Sequence, residues 1–113
     1  MFITLTSIRL RSLWGFFRLS WHGLHITLQM RRLPGFVRMR NTGWGYLHLT
    51  ASAWRTEEDL KQFARSGAHL EAMKQTRHLA LELRTYTYEG EALPVWREAR
   101  RLLLEKGRVL HFD

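Results

Sequence analysis

Residues 44–73 read WGYLHLTASAWRTEEDLKQFARSGAHLEAM, and this stretch decides the fold because two backbone periods meet within it. Up to Trp54 the side chains alternate in character, which predicts a strand. Thr56 is suited to cap the helix that follows, because the next three residues are acidic and the positive end of a helix dipole favours carboxylates. This helix is predicted to reach about Ser66. Gly67 interrupts the pattern before a second helical segment.

The chain before this stretch predicts a strand, a long helix and another strand. Residues 2–9 alternate apolar residues with Thr and Ser, as in a half-buried strand. From Ser12 the apolar residues recur at helical spacing until Leu33-Pro34-Gly35, which cannot continue a helix. The predicted apolar face of this helix consists of Leu13, Phe17, Trp21, Leu24 and Leu28. Residues 36–42 alternate again and form a predicted hairpin with residues 44–54.

The chain after this stretch predicts one more strand and one more helix. Residues 79–89 have a clear period of two, and a helix over residues 95–106 has Pro94 in its predicted first turn and Gly107 after its end. A short apolar tail follows. The order is β-α-β-β-α-β plus a C-terminal helix, which predicts an α+β, ferredoxin-like domain over residues 1–113 with a four-stranded antiparallel sheet.

The composition narrows the function classes. The 113 residues include no cysteine, so disulfides, thiolate metal sites and a cysteine nucleophile are excluded. The apolar runs are too short to span a bilayer, and the start of the chain lacks the features of a signal peptide. We therefore expect a soluble protein, and the lack of cysteine fits the reducing cytoplasm.

The net charge of +8 lies entirely in the first half of the chain. Residues 1–56 contain eight Arg and no acidic residue, whereas residues 57–113 contain ten basic and ten acidic residues. Such asymmetry points to an anionic partner. The arginines are spread over strand, helix and loop without an RNA-binding signature, so we expect no nucleic acid; peripheral contact with a membrane surface stays open.

One face of the predicted sheet has an unusual composition. Side chains on a strand alternate between faces, and the small apolar residues suit packing under the helices. The remaining set comprises Tyr46, His48, Thr50, Ser52 and Trp54, then Ala80, Glu82, Arg84, Tyr86 and Tyr88, and finally Phe36, Arg38 and Arg40. This mixture predicts an open face that a second copy covers in a homodimer. Either the stacked sheets enclose a ligand cavity, or they form a partner surface alone.

A family resemblance rests on four groups of residues around the same stretch. They are Ser52-Ala-Trp54, Thr56-Glu-Glu-Asp-Leu-x-x-Phe63, Ser66-Gly67-Ala68-His69 and Ala72-Met73. Together with Leu33-Pro34-Gly35-Phe36, they resemble the dimeric α+β barrel proteins related to antibiotic biosynthesis monooxygenases, and more closely spheroidene monooxygenase. The resemblance covers roughly residues 2–89.

The resemblance implies a dimeric α+β barrel and a hydrophobic or aromatic small molecule as ligand. The superfamily includes cofactor-independent oxygenases acting on aromatic or polyketide substrates and haem-binding enzymes. The cofactor is therefore open between none and haem. The side chains expected at the ligand are Trp54, Tyr46, Arg84, Glu82 and Tyr86.

Two histidines are the candidate catalytic residues. His69 follows the helix break and is suited to act as a general base or an axial haem ligand; the alternative is that its ring caps or packs locally. His48 lies mid-strand, where it could orient an acidic substrate proton or bind haem iron; the alternative is a pair with Glu82 across the dimer. A salt bridge to Arg84 is the expected fate of Glu82.

No metal site or standard nucleophile motif is predicted. His22 and His25 could share a helix face, but no third ligand has a recognisable spacing. Two interpretations remain. One is a homodimeric α+β barrel protein that binds a hydrophobic small molecule between its sheets as a cofactor-independent or haem-assisted monooxygenase; the other is a non-catalytic binding or interaction protein on the same scaffold.

Overall fold

The computed structural model describes the backbone of residues 1–44 and 46–112. It describes nothing beyond the backbone at Phe16, His22, Trp44, Gly67 and Ala68. Nine elements follow one another in this part of the chain. They are β1 Phe2–Leu10, α1 Leu13–Met30, β2 Phe36–Trp44, β3 Leu47–Trp54, α2 Glu57–Ala64, α3 Gly67–Leu79, β4 Ala80–Glu89, α4 Trp96–Lys106 and β5 Arg108–His111.

The strands form one antiparallel sheet in the order β2-β3-β1-β4-β5. The first four strands have the ferredoxin-like arrangement, which confirms the predicted fold class. The predicted count of four strands is wrong, because the apolar tail forms β5 and pairs Leu110 with Leu83 of β4. A short strand at this position satisfies backbone groups that the edge of β4 would otherwise expose.

Two helix starts are capped by a side-chain oxygen, and the cap at Thr56 was predicted. Thr56 Oγ1 accepts a hydrogen bond from the Asp59 backbone N–H at 3.1 Å, and Ser12 Oγ accepts one from Gly15 N–H at 3.4 Å. The Asp59 carboxylate reaches back to the Thr56 hydroxyl, at 2.8 Å. Both caps satisfy an amide that the first helical turn leaves unpaired.

Gly35 allows the chain reversal after α1, and Pro94 lies outside the helix that was predicted to contain it. Gly35 has a φ of 81°, a conformation that side chains with a Cβ rarely adopt, and its carbonyl accepts a hydrogen bond from Arg55 N–H at 2.8 Å. The chain thereby leaves α1 and enters β2. Pro94 was expected inside the first turn of α4, but α4 begins at Trp96, so the proline belongs to the preceding loop.

Helices cover both faces of the sheet. On one face, α4 packs over the central strands in a core formed by Ile3, Leu5, Leu49, Ala51, Ala53, Ala99, Leu102 and Leu103. On the other face, α1, α2 and α3 lie above the sheet, and Met30, Trp54 and Phe63 form a second core there. Residues predicted to share one open face therefore lie under helices on both sides of the sheet: Tyr86 lies under α4, and Trp54 lies under α1–α3.

The predicted grouping of side chains by face is wrong for β3 and β4. Thr6 of β1 pairs with Thr50 of β3 on one side and with Thr85 of β4 on the other, so these three share a face. By the same alternation, Arg84 and Tyr86 point to the opposite face, which α4 covers. Alternation assigns faces within one strand, but only the pairing through β1 relates the two strands to each other.

An irregularity in β2 changes one further assignment. The register shifts between Phe36 and Arg38, so an extra residue turns Phe36 to the same face as Met39. Phe36 packs edge-on against Trp54 at a ring distance of 5.7 Å, and not with the arginines as predicted. Met39 lies on the face of α1–α3 as expected. Arg40 lies on the opposite face, over the ring of Trp96.

The predicted apolar face of α1 turns outward. Its residues expose about half or more of their surface, for example 62% at Trp21 and 64% at Phe17. The helix contacts the molecule through its other side, which carries Ile26 and Met30. No helix in the described part of the chain combines the length and the hydropathy needed to cross a membrane.

Candidate ligand cavity

A cavity of about 820 Å³ lies between the sheet and helices α1–α3. Its floor is the sheet, which contributes the hydroxyl side chains of Thr4, Thr6, Thr50, Ser52, Thr85 and Thr87. Its roof is apolar and includes Leu19, Leu24, Ile26, Met30, Phe63 and Met73. The volume is within the range of about 300–1,000 Å³ that is typical of small-molecule sites.

The hydroxyl floor follows from the strand sequences. Threonine is favoured in strands because its β-branched side chain packs well on a pleated surface, and a period of two places alternate threonines on one face. Thr4 and Thr87 hydrogen-bond to each other through their hydroxyls at 3.0 Å, and Ser52 Oγ accepts from Trp54 Nε1 at 3.2 Å. The floor is therefore polar without being charged.

The cavity contains little charge of its own. Among the described lining residues other than histidine, the ionisable side chains are Glu57 and Lys61. They lie one helical turn apart on α2, form an ion pair at 3.3 Å and remain more than half exposed. A ligand inside the cavity would thus meet hydroxyls, imidazoles and apolar groups, which suits an uncharged molecule.

His69 lies in the first turn of α3 and lines the cavity. Its Nδ1 donates a hydrogen bond to the Ala64 carbonyl at 3.1 Å, and its ring packs edge-on against Phe63 at 4.8 Å. Burial lowers the pKa of His69 below its ordinary value of 6.5, and the bond to Ala64 opposes this shift. The bond from Nδ1 to Ala64 is the predicted local capping. In the neutral ring, Nε2 carries no hydrogen and can accept a hydrogen bond.

His48 lines the same cavity from the middle of the sheet. It lies on β3 opposite Ile8 of β1 and is half-buried. Within one chain the side chains of His48 and Glu82 lie on opposite faces of the sheet, and the predicted pair between them across a dimer stays a prediction. Glu82 accepts a hydrogen bond from Arg84 Nε at 2.7 Å, as expected.

Trp54 and Tyr46, two predicted ligand-binding residues, do not line the cavity. Trp54 is fully buried and packs between Phe36 and Phe63, with its ring stacked at 5.0 Å on the ring of Phe63. It supports the cavity wall from behind through its hydrogen bond to Ser52. Tyr46 is half exposed and precedes β3.

Arg84, Glu82 and Tyr86 lie on the face covered by α4. Arg84 and Glu82 border a small cleft of about 110 Å³. Tyr86 stacks on Tyr88 at 5.4 Å, and burial together with the nearby charges of Glu98 and Tyr86 raises the pKa of Tyr88. The structure thus separates these three predicted residues from the two histidines.

The threonine floor was missed in the sequence. The alternation of Thr in residues 2–9 and 80–89 was interpreted as a sign of strands only. A signal for the floor was available in the spacing of the threonines. Thr4 and Thr6 are two residues apart on one strand, and so are Thr85 and Thr87 on another. Once the strands are paired, Thr4 faces Thr87 and Thr6 faces Thr85.

The donor set of the cavity does not fit haem. The described lining contains no arginine, and its single lysine, Lys61, already pairs with Glu57, so it offers no unpaired side-chain cation to hold the two propionates of a haem. An apolar macrocycle on the threonine floor would also bury hydroxyls without replacing their hydrogen bonds to water. His48 and His69 are thus better explained as polar groups facing an organic ligand.

Metal binding has little support in the described part of the chain, where no group of three His, Asp or Glu side chains is arranged to hold an ion. The His22 side chain is outside the described residues. The interpretation of His22 and His25 as a solvated or partner-contacting pair therefore remains a prediction.

Acid should destabilise the fold through His69. The unfolded chain binds a proton at the ordinary pKa of 6.5, whereas the folded chain binds it only at lower pH. The contribution of the neutral ring is therefore complete above pH 6.5 and is lost as the pH falls through the lower, folded pKa. Urea unfolding at a series of pH values measures this loss. His69→Asn keeps a donor for the Ala64 carbonyl but has no imidazole, so its stability should not show this loss in acid. An identical pH dependence in both proteins would contradict the role of His69.

The strand order and the packing of the helices define a class: α+β proteins with a ferredoxin-like fold. Solved structures of this class share the architecture of the chain. SnoaB, a cofactor-independent oxygenase from Streptomyces nogalater, matches with a TM-score of 0.68 at 11% identity, over 80% of this chain and 93% of that one. A proposed antibiotic biosynthesis monooxygenase from Deinococcus radiodurans matches with a TM-score of 0.72 at 19% identity, over 84% and 98% of the two chains.

A second proposed antibiotic biosynthesis monooxygenase, from Nitrosomonas europaea, matches with a TM-score of 0.72 at 14% identity, over 79% of this chain and 88% of that one. No protein-family model and no curated protein matches the sequence. The chain thus has the fold of antibiotic biosynthesis monooxygenase-like proteins, as the resemblance implied. The closer likeness to spheroidene monooxygenase stays a prediction.

Proposed function

We propose that the protein binds an uncharged, largely apolar small molecule in the cavity between its sheet and α1–α3, and oxygenates it with O₂ without a cofactor. The observation that carries this proposal is the cavity of about 820 Å³, in which an apolar roof, a hydroxyl floor and two imidazoles face the same space. The fold shared with a cofactor-independent oxygenase supports the chemistry.

The ligand is a flat aromatic molecule that carries carbonyl or hydroxyl oxygens. Its ring faces would contact the apolar roof, including Leu24 and Met30, and its oxygens would meet hydroxyls such as Thr6 and Thr50. Apolar area provides affinity in such sites, and a few polar groups provide orientation. An ionised ligand would lose hydration without meeting an unpaired charge.

The oxygenation needs a substrate that supplies its own electrons. A methylene group acidified by adjacent aryl and carbonyl groups loses a proton to a neutral imidazole, and the resulting carbanion transfers electrons to O₂. One oxygen atom becomes a carbonyl at that carbon, and the other leaves as water with the two methylene hydrogens. His69 is proposed as the base because its Nδ1 donates to Ala64 and Nε2 can accept the proton. His48 orients the substrate.

We further propose that residues 1–113 form one domain and that two copies pair through the sheet face that carries α4. The exposed side chain of Leu104 and the half-buried pair of Arg84 and Glu82 lie on this side and support a partner there. Sedimentation velocity, which should give twice the chain mass of 13.5 kDa, measures the pairing. The cytoplasmic location expected from the cysteine-free sequence is part of the same proposal.

Oxygen consumption with a panel of aromatic ketones tests the function. Wild type should oxidise members with an acidic methylene group, and His69→Gln should lower kcat about 10²- to 10⁴-fold, since a general base contributes this much, while Kd changes little. His48→Gln should raise KM. The control is His78→Gln, at an exposed histidine on the same helix. Binding without oxygen consumption would assign the protein to the non-catalytic alternative; no binding would overturn the proposal.

A further inference from the structure

The outer side of α1 carries an exposed apolar surface. We call it the α1 stripe. Its residues are Leu13 at 52% exposure, Trp14 at 69%, Phe17 at 64%, Trp21 at 62%, Leu24 at 53% and Leu28 at 51%. The spacing places them within an arc of about 100°, the width with which a helix normally faces a core. Soluble proteins rarely leave such a continuous apolar surface exposed without a partner.

The charge around the α1 stripe restricts the partner. Arg18 on the helix and Arg31 and Arg32 just after it are exposed, and Arg11 precedes it. Residues 1–56 contain no acidic residue. A helix with Trp, Phe and Leu on one face and Arg beside them matches the pattern of helices that lie in the interface of an anionic bilayer.

We propose that the α1 stripe docks the protein on the surface of an anionic lipid membrane. In this arrangement the aromatic and leucine side chains enter the acyl boundary, while the arginines contact lipid phosphates. Self-association through α1 fits less well. A two-fold interface would place the same patch opposite itself, so Arg18 of each copy would face a surface with no acidic residue on α1.

The α1 stripe is continuous with the cavity. Leu24 belongs to both, and the inner side of the same helix forms part of the roof through Gly23 and Thr27. Docking would therefore place the roof of the cavity against the lipid, where apolar molecules are concentrated. The inference concerns the surface alone and does not depend on oxygenation.

Vesicle flotation tests the inference. Wild type should float with vesicles of phosphatidylcholine and phosphatidylserine, at least tenfold less with phosphatidylcholine alone, and progressively less as salt is added, because screening weakens the arginine contacts. Trp21→Glu should reduce the bound fraction at least tenfold. Val95→Glu is the matched control, because Val95 is a 68% exposed apolar residue just before α4, which covers the opposite face of the sheet, and it should float like wild type.

Circular dichroism and sedimentation velocity accompany the flotation. Trp21→Glu should keep the wild-type helix content and mass, so that lost flotation reports the surface and not unfolding. Arg18→Glu provides a second variant, which should lose the preference for phosphatidylserine. Wild type that fails to float, or Trp21→Glu that floats like Val95→Glu, would overturn the inference. A change in mass upon Trp21→Glu without any vesicle binding would assign the stripe to a second copy and overturn it as well.

Discussion

Trp54→Ala is expected to lower the free energy of unfolding by about 3–5 kcal/mol, the usual cost of deleting a fully buried large aromatic side chain. Trp54 has no exposed surface and packs between Phe36 of β2 and Phe63 of α2. Its indole N–H also donates to Ser52, so the variant removes the partner of a buried hydroxyl. Urea unfolding followed by circular dichroism measures the loss.

Two further variants separate packing from the hydrogen bond of Trp54. Trp54→Phe keeps much of the ring contact with Phe63 but removes the donor, so it should cost less than Trp54→Ala. Trp14→Ala, at a tryptophan that is 69% exposed, should change stability by less than about 0.5 kcal/mol, as substitutions outside the core do. A Trp54→Ala protein as stable as Trp14→Ala would show that the wall of the cavity is not built around this side chain.

Gly23→Trp is expected to weaken ligand binding about a hundredfold, or about 2.7 kcal/mol, while the fold persists. Gly23 lies in the roof of the cavity, and a Cβ added there would meet no heavy atom of the described residues within 4 Å beyond its own helix and chain neighbours. An indole at this position therefore occupies space that the ligand needs. Titration calorimetry with an aromatic ketone that wild type binds measures the effect.

Gly23→Ala is the matched control for this experiment. Alanine in a helix interior is more stable than glycine by about 0.5–1 kcal/mol, so this variant should unfold at higher urea concentration and bind nearly as wild type does. Thr27 Oγ1 donates to the Gly23 carbonyl at 2.8 Å, a bond that both variants retain. Equal affinities of wild type and Gly23→Trp would place the ligand elsewhere.

The sequence was sufficient for the elements and their order, because each of them has a strong local signal. Period-two alternation predicted the strands, the change of period at Ser12 predicted the start of α1, and the capping residue Thr56 predicted the start of α2. The structure confirms both helix starts. The fifth strand was missed, since the four residues of β5 are too few to establish a period and pair only because β4 has a free edge.

Local sequence patterns could not predict the location of the cavity. Side chains of β3 and β4 were grouped by size and polarity, which placed Arg84 and Tyr86 beside His48. The pairing of both strands with β1 decides the matter, and it joins Thr50 with Thr85 through Thr6 instead. His48 and His69 do line one cavity, but within a single chain, and their predicted catalytic roles remain predictions.

The sequence also could not predict which side of α1 is exposed. An apolar stripe at helical spacing normally packs on a core, and α1 has apolar residues on two sides. Its inner side, with Ile26 and Met30, packs near Trp54, whereas Phe17 and Trp21 face outward. Only the tertiary structure shows which of the two sides faces the core.

A crystal structure of the protein grown with a tricyclic aromatic ketone tests most directly where the ligand binds. We expect the ketone to lie between the threonine floor and α1 of one chain. One of its oxygens should lie about 3 Å from an imidazole nitrogen or from the hydroxyl of Thr6 or Thr50. A ketone bound instead between the sheets of two copies, beside Arg84 and Tyr86, would contradict this prediction.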